Sequence, residues 1–172
     1  KSVNIGCVRM SERHFRSDPP SAEEIALATA DIDAAIQEAA KVVPIKKART
    51  VIAVAGTATT VAAAALGLSE YDPRAIHLSR VSAERVHEIS KVFLEMTHDR
   101  RKALPYMHEG RVDVITAGSL VLSRIMIAAP PPPPPAINSI SMISEAIVRL
   151  PSGWPTGLSR ITRVRLGDSL IG

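Results

Sequence analysis

The stretch V-I-A-V-A-G-T-A-T-T-V-A-A-A-A-L-G, residues 51–67, decides the fold. Its beginning belongs to R-T-V-I-A-V-A (49–55), a short run rich in β-branched residues that predicts a buried β-strand. An alanine-rich segment over 59–66 predicts a helix, and Gly67 is the expected C-cap. A strand that passes directly into a helix is the repeating unit of a layered α/β domain.

The turn between this strand and this helix has the features of a phosphate-binding site. The first amides of a helix lack an internal acceptor and carry the positive end of the helix dipole. Gly56 lets a ligand approach the backbone closely, and Thr57, Thr59 and Thr60 add hydroxyls. The turn is not a Walker loop, because no GxxxxGK[ST] motif is present. From spacing alone, an ordinary threonine-rich turn explains the segment equally well.

The segments around this stretch extend the α/β pattern over residues 1–129. Ser2–Met10 alternates apolar and polar residues and predicts a strand, and another strand is expected around Ile76–Val81. The Ser21–Glu24 capping box starts a helix, and Ser82 is expected to cap another. Three longer helices are expected, over about 22–43, 83–96 and 112–128. Strands that alternate with helices indicate a parallel sheet.

Six consecutive prolines, Pro130–Pro135, follow this domain and begin the remaining segment, 130–172. Proline lacks an amide hydrogen and fixes φ, so the run predicts a polyproline II linker. A short helix is compatible with Ile137–Leu150, but later prolines and glycines interrupt the periodicity. We therefore expect 1–129 to form the α/β domain and 130–172 to form a polyproline linker and an irregular tail. A ligand for an aromatic groove is the alternative reading of the proline run.

The composition excludes several classes of function. The chain has 172 residues, with 21 Lys and Arg against 17 Asp and Glu, so its net charge is only +4. Its single cysteine excludes an intramolecular disulfide and the cysteine-rich zinc folds. No run of about 18 apolar residues is present to cross a membrane. One Trp, two Tyr and two Phe are too few for base stacking, and the histidines lack metal-ligand spacing. We expect a cytoplasmic protein that binds neither a membrane nor a specific nucleic acid, and no metal site within the chain.

A basic cluster of Lys46, Lys47 and Arg49 precedes the predicted strand. Most such clusters are solvated surface. If the protein binds a polyanion, these side chains would supply non-specific electrostatic contact, and the affinity would fall with added salt.

Five segments, in this order, resemble the exopolyphosphatase and guanosine pentaphosphate phosphohydrolase (Ppx/GppA) family. They are SVNIGCVRM, SERHFRSDPP, VIAVAGTATTVAA, YDPRAIHLSR and LPYMHEGRVDVITAGSLVL. The resemblance covers about residues 1–128 and is closest to actinobacterial-type exopolyphosphatases. It implies an actin-like ATPase (ribonuclease H-like) fold, of which this chain is similar to an incomplete second lobe.

The resemblance also implies an activity and a site. The family releases terminal phosphate from inorganic polyphosphate or from guanosine pentaphosphate, usually with Mg²⁺, and no Mg²⁺ ligands can be identified in this chain. Phosphate binding is implied for Gly56, Thr57, Thr59 and Thr60. The G-R-V-D segment, residues 110–113, is implied to be mainly architectural.

The family's first phosphate loop and its water-activating glutamate lie in the first lobe, which has no counterpart here. Hydrolysis needs a positioned base and charge stabilisation, so we expect this chain alone to be inactive. The resemblance implies polyphosphate or guanosine pentaphosphate as the partner and is compatible with a homodimer. The alternative is a non-catalytic polyphosphate-binding or degenerate remnant protein.

Overall fold

The computed structural model describes residues 1–48, 51–129 and 139–143. The helices in these ranges are α1 (Cys7–His14), α2 (Ala22–Ala40), α3 (Ala55–Leu66), α4 (Pro73–Ile76), α5 (Ala83–Glu95), α6 (His98–Lys102) and α7 (Ile115–Ala128). The strands are β1 (Val51–Val54), β2 (Arg80–Ser82) and β3 (Ser139–Ile143). Short 3₁₀ turns lie at Ile45–Lys47 and Glu109–Arg111. The described part of the protein is therefore mostly helical, with a small sheet.

The sheet has the strand order β1-β3-β2, with β3 in the centre. β1 and β3 are parallel, with Val51 opposite Ile140, and β2 and β3 are antiparallel, with Val81 opposite Ile140. The parallel pair agrees with the predicted α/β pattern. β3 corrects the expectation of an irregular or helical segment there, because Ser-Ile-Ser-Met-Ile alternates with the period of a strand. The prolines at 130–135 lie outside the described residues, so the domain boundary stays a prediction.

β1 is less buried than the sequence predicts. Val51 and Val54 are only partly buried, and Ile52 retains 48% of its accessible surface. Ala53 is the buried residue of the strand. β1 lies at an end of the strand order, so it is an edge strand among the described residues, which explains its exposure.

The predicted strand at Ser2–Met10 is wrong, because α1 begins at Cys7. The alternation of Val3, Ile5 and Cys7 fits a strand, but Cys7 and Met10 are one helical turn apart and both are buried. The spacing of three residues is the signal that packing selects, since it places both side chains on the same face of α1.

Local capping signals were predicted correctly. Ser21 Oγ accepts from the Glu24 amide at 3.2 Å, and the Glu24 carboxylate accepts from the Ser21 amide at 2.8 Å, which completes the capping box. Ser82 Oγ accepts from the Arg85 amide at 3.2 Å. Gly67 has φ 63° and ends α3 in the left-handed conformation that favours glycine.

α7 is the centre of the hydrophobic core. One cluster joins α7 to α3 and α5, and its largest buried side chain is Phe93. A second cluster joins the other side of α7 to α1 and α2, where Met10 and Ile32 are fully buried. Most residues of α7 are buried because both clusters cover it. The described helices include none with the length and apolar character needed to cross a membrane.

Candidate phosphate-binding site

The turn between β1 and α3 has an unusual backbone. β1 ends at Val54, and α3 begins at Ala55, whose φ is 72°. A positive φ is uncommon for a residue with a Cβ, and strained backbone of this kind is enriched at functional sites. Among the described residues, no side chain caps α3, since its N-cap is Val54. The first amides of α3 therefore lack a side-chain acceptor, and Ala55 is exposed at this end of the helix.

The predicted threonines come together at this turn, but their side chains face the protein. Thr60 Oγ1 donates to the Gly56 carbonyl at 2.8 Å, and Thr59 Oγ1 lies 3.2 Å from the same oxygen. Both residues are at least 97% buried. These hydroxyls hold the first turn of α3 together, so the groups that remain for a ligand are backbone amides.

Thr57 packs against α7. A Cβ added to Gly118 would lie 2.5 Å from Thr57 Oγ1 and 3.1 Å from the Cβ of Cys7. The absence of a side chain at Gly118 therefore lets α1, the start of α3 and α7 meet. Cys7 is a buried free thiol.

Arg111 lies over the turn. Its guanidinium occupies the space that a Cβ on Gly56 would need. The 3₁₀ turn Glu109–Arg111 sets its position, and the His108 ring accepts from the Gly110 amide at 3.2 Å to cap that turn. The resemblance implied a mainly architectural role for the 110–113 segment, and this contact with Gly56 was not predicted. The G-R-V-D motif was visible, but its approach to Gly56 depends on tertiary packing.

The predicted basic cluster is only partly described. Lys46 and Lys47 are exposed in the 3₁₀ turn that precedes β1. Arg49 lies outside the described residues. Contact between these side chains and a polyanion stays a prediction.

The groups at the turn do not fit Mg²⁺. The turn offers backbone amides, a guanidinium and threonine hydroxyls, and amides and guanidinium groups bind anions. Mg²⁺ is held mainly by carboxylates, phosphate oxygens and water. Within the described ranges, no group of three His, Cys, Asp or Glu side chains is placed to hold a metal ion.

Comparison with known proteins gives the family. The model of the Ppx/GppA phosphatase family matches residues 1–130. The chain belongs to this family. It is 41% identical over 124 residues to Exopolyphosphatase 2 of Mycobacterium tuberculosis, from strains CDC 1551 / Oshkosh and ATCC 25618 / H37Rv. That alignment covers 72% of this chain and 39% of the relative, so the chain spans well under half the length of the curated relatives it matches.

Solved structures of this family have the same fold over most of the chain. A protein described as exopolyphosphatase-like is 38% identical, with a TM-score of 0.76, over 83% of this chain and 45% of that one. The type II variant of the Ppx/GppA phosphatase of Aquifex aeolicus aligns with a TM-score of 0.69 at 24% identity, over 81% of this chain and 43% of that one. The predicted family is confirmed, and the fold is part of the actin-like fold of these phosphatases.

Proposed function

We propose that this chain is the phosphate-binding part of an exopolyphosphatase-type hydrolase that releases terminal phosphate from polyphosphate. The observation that carries the proposal is the contact of the Arg111 guanidinium with Gly56 at the start of α3. A fixed cation and the positive end of a helix dipole meet at one point of the backbone. This combination is suited to a phosphate oxyanion.

Each group at the turn has a separate part in binding. The first amides of α3 donate to phosphate oxygens. Arg111 donates a charge-assisted hydrogen bond to the same phosphate and neutralises its negative charge. Such a bond contributes roughly 1.5–3 kcal/mol, and the helix dipole adds roughly 0.3–1 kcal/mol. Thr59 and Thr60 act on the ligand only indirectly, because they fix the Gly56 carbonyl and hence the helix start. Thr57 anchors that start to α7.

Turnover needs a group that this site lacks. Phosphoryl transfer depends on positioning, on charge stabilisation and on orientation of the attacking water. Gly56, Thr57, Thr59, Thr60 and Arg111 include no general base. The chain alone therefore binds polyphosphate without hydrolysing it, and a complementary lobe must supply the base.

Lys46, Lys47 and Arg49 extend the positive charge along a polyphosphate chain. Their contribution is non-specific, so it is screened by salt, whereas the contact of the terminal phosphate with Arg111 and the amides is screened less. Longer polyphosphate chains should accordingly bind more tightly than orthophosphate, and this advantage should shrink as salt is added.

The test combines binding and release on the purified chain. Isothermal titration with polyphosphate chains of defined length should show salt-dependent binding, and a phosphate-release assay should remain at background. Arg111→Ala should weaken binding about tenfold. Arg74→Ala removes an exposed arginine on α4 and serves as the matched control. Equal affinity of the wild type and Arg111→Ala would remove the turn from the proposal.

The missing base favours a second candidate, a protein that only binds polyphosphate. The experiment that distinguishes the hydrolase from the binding protein is to add the purified first lobe of a family exopolyphosphatase to this chain. Phosphate release above that of either component supports the hydrolase. Continued binding without release supports the non-catalytic protein. Competition by guanosine pentaphosphate in the same binding assay identifies the preferred ligand.

A further inference from the structure

The chain that follows Arg111 is firmly held. The Val112 carbonyl accepts a hydrogen bond from Arg101 Nε at 3.1 Å, and the Asp113 carbonyl accepts one from Ser11 Oγ at 3.2 Å. Arg101 belongs to α6 and Ser11 to α1, so two separate helices anchor this stretch of backbone. The side of Arg111 toward α7 is therefore fixed before any ligand binds.

The chain that precedes Arg111 has much less support. His108, Glu109 and Gly110 are exposed. Apart from the two chain neighbours of Gly110, the described atoms within 4 Å of a Cβ added there all belong to the His108 ring. The conformation of the 3₁₀ turn Glu109–Arg111 therefore depends on the hydrogen bonds made within the turn and by His108.

His108 makes two of these hydrogen bonds. Its carbonyl accepts from the Arg111 amide at 2.8 Å, and its ring Nδ1 accepts from the Gly110 amide at 3.2 Å. A side chain that accepts from an early amide of a helical turn satisfies a donor that has no partner inside the turn, and so stabilises it. Within the described ranges, the His108 ring is the side chain that does so here.

The shape of this turn sets the position of the Arg111 guanidinium. The backbone of Arg111 ends the 3₁₀ turn, and the guanidinium, at the far end of a long side chain, occupies the space beside Gly56. A small rotation of the backbone therefore moves the guanidinium away from the start of α3. The hydrogen-bond geometry of a 3₁₀ turn is poor, so a turn that has lost its cap opens more readily.

We propose that His108 is a positioning residue of the candidate phosphate-binding site. By capping the 3₁₀ turn, its Nδ1 atom keeps the Arg111 guanidinium beside Gly56, and it makes no contact with the phosphate itself. The inference rests on the proposed function, because it concerns how the same site is kept ready to bind. The role requires a hydrogen-bond acceptor at position 108 and not an imidazole ring. Asparagine is among the residues preferred at such a cap, whereas alanine supplies no acceptor.

The test measures the affinity of the full chain for polyphosphate of defined length by isothermal titration. His108→Ala removes the ring acceptor and should weaken binding about three- to fivefold, the size expected for a lost cap. His108→Asn should bind as tightly as the wild type, because its side-chain carbonyl also accepts from the Gly110 amide. His77→Ala is the matched control, since His77 is an exposed histidine at the end of α4, and its Kd should be unchanged.

Two further measurements separate positioning from other roles. In the Arg111→Ala protein, the second change His108→Ala should cause no additional loss of affinity, since the side chain that the cap positions is already absent. In NMR spectra recorded without ligand, His108→Ala should shift the Gly56 amide signal, and His108→Asn should leave it near its wild-type position.

The results that would overturn this inference differ from those that would overturn the proposed function. Equal affinity of the wild type and Arg111→Ala removes the proposed function, and the role of His108 with it. If Arg111→Ala does weaken binding, three results overturn the role of His108 alone. They are an unchanged affinity of His108→Ala, a His108→Asn protein as weak as His108→Ala, and an additional loss in the double variant.

Discussion

The guanidinium of Arg111 fills the space beside Gly56 that the Cβ of any other residue would occupy. Gly56 is therefore required by its neighbour and not by its own dihedral angles. Gly67 is the opposite case, since its φ of 63° calls for glycine while no atom lies within 4 Å of its added Cβ. The distinction matters because a substitution at Gly56 moves Arg111, whereas one at Gly67 strains the backbone.

Gly56→Ala should reduce phosphate binding with little loss of stability. The new methyl group meets the end of a flexible side chain, which can move away, and alanine is a better helix former than glycine. We expect the free energy of unfolding to change by less than about 1 kcal/mol. The affinity for polyphosphate should fall about tenfold, because Arg111 no longer lies at the start of α3. Urea denaturation and isothermal titration measure the two effects.

The double variant Gly56→Ala with Arg111→Ala tests whether both changes act through the same contact. If both changes act through this contact, the double variant loses as much affinity as Arg111→Ala alone, because the guanidinium that Gly56→Ala would displace is already absent. Losses that add in full would show that the methyl group disturbs the site by another route.

Gly118→Ala should destabilise the protein, because its Cβ would lie 2.5 Å from Thr57 Oγ1 and 2.9 Å from Thr57 Cγ2. Both atoms belong to a buried, branched side chain that cannot swing aside. Overpacking of this kind costs roughly 1–3 kcal/mol, measurable by thermal or urea unfolding. Gly110→Ala is the control, since the nearest atom to its added Cβ is 3.6 Å away. A Gly118→Ala protein as stable as the control would show that the helices separate freely.

Signals within one segment predicted the structure well. The Ser21 capping box, the Ser82 cap and the αL glycine at 67 depend on neighbours within a few residues, and all three were found as expected. The turn at 54–57 was located for the same reason. The separate roles of the groups at this turn were not predicted. The threonine hydroxyls point into the protein, and this direction depends on packing against α7.

Features that arise from tertiary contacts were missed. Val92 is apolar and lies next to the buried Phe93 on α5, yet it is 45% exposed. β3 was not predicted, because it follows the run of prolines that indicated an irregular segment. Its place as the central strand depends on pairing with β1 and β2. Arg101 stands in a run of three basic residues at 100–102, but it is 95% buried. No local pattern distinguishes a buried arginine from its two exposed neighbours.

Arg101→Ala should be strongly destabilising. The side chain bonds the carbonyls of Met96 and Val112 and the carboxylate of Asp18, which joins the 16–20 loop to α6 and α7. Its removal leaves two carbonyls and a carboxylate without this donor, which costs roughly 1–3 kcal/mol for each buried group left unpaired. Arg100→Ala, at an exposed position of the same helix, should change the free energy of unfolding by less than about 0.5 kcal/mol. Similar losses for the two variants would mean that Arg101 is not a structural link.

Acid should weaken the link between α1 and α2 at Asp31. Its carboxylate accepts from His14 at 2.8 Å and from Arg13 at 2.5 Å. The hydrogen bond with His14, followed by that with Arg13, holds the pKa of Asp31 below its ordinary value of 3.8. A group whose pKa is lowered by folding contributes stability above its unfolded pKa, and that contribution is lost as the pH falls through the folded value. Asp31→Asn should therefore cost roughly 0.5–1 kcal/mol at neutral pH, with the modest size of a partly exposed ion pair.

Below about pH 4, the stabilities of the wild type and Asp31→Asn should converge, since the carboxyl group is by then losing its charge in the wild type. Urea denaturation of both proteins from about pH 7 down to about pH 2 measures this difference directly. The neutral amide that replaces the carboxylate does not titrate, so the variant provides its own reference for every other acidic group in the chain. A difference that stays constant across this range would show that Asp31 stabilises the helix pair by packing, and that its charge contributes nothing.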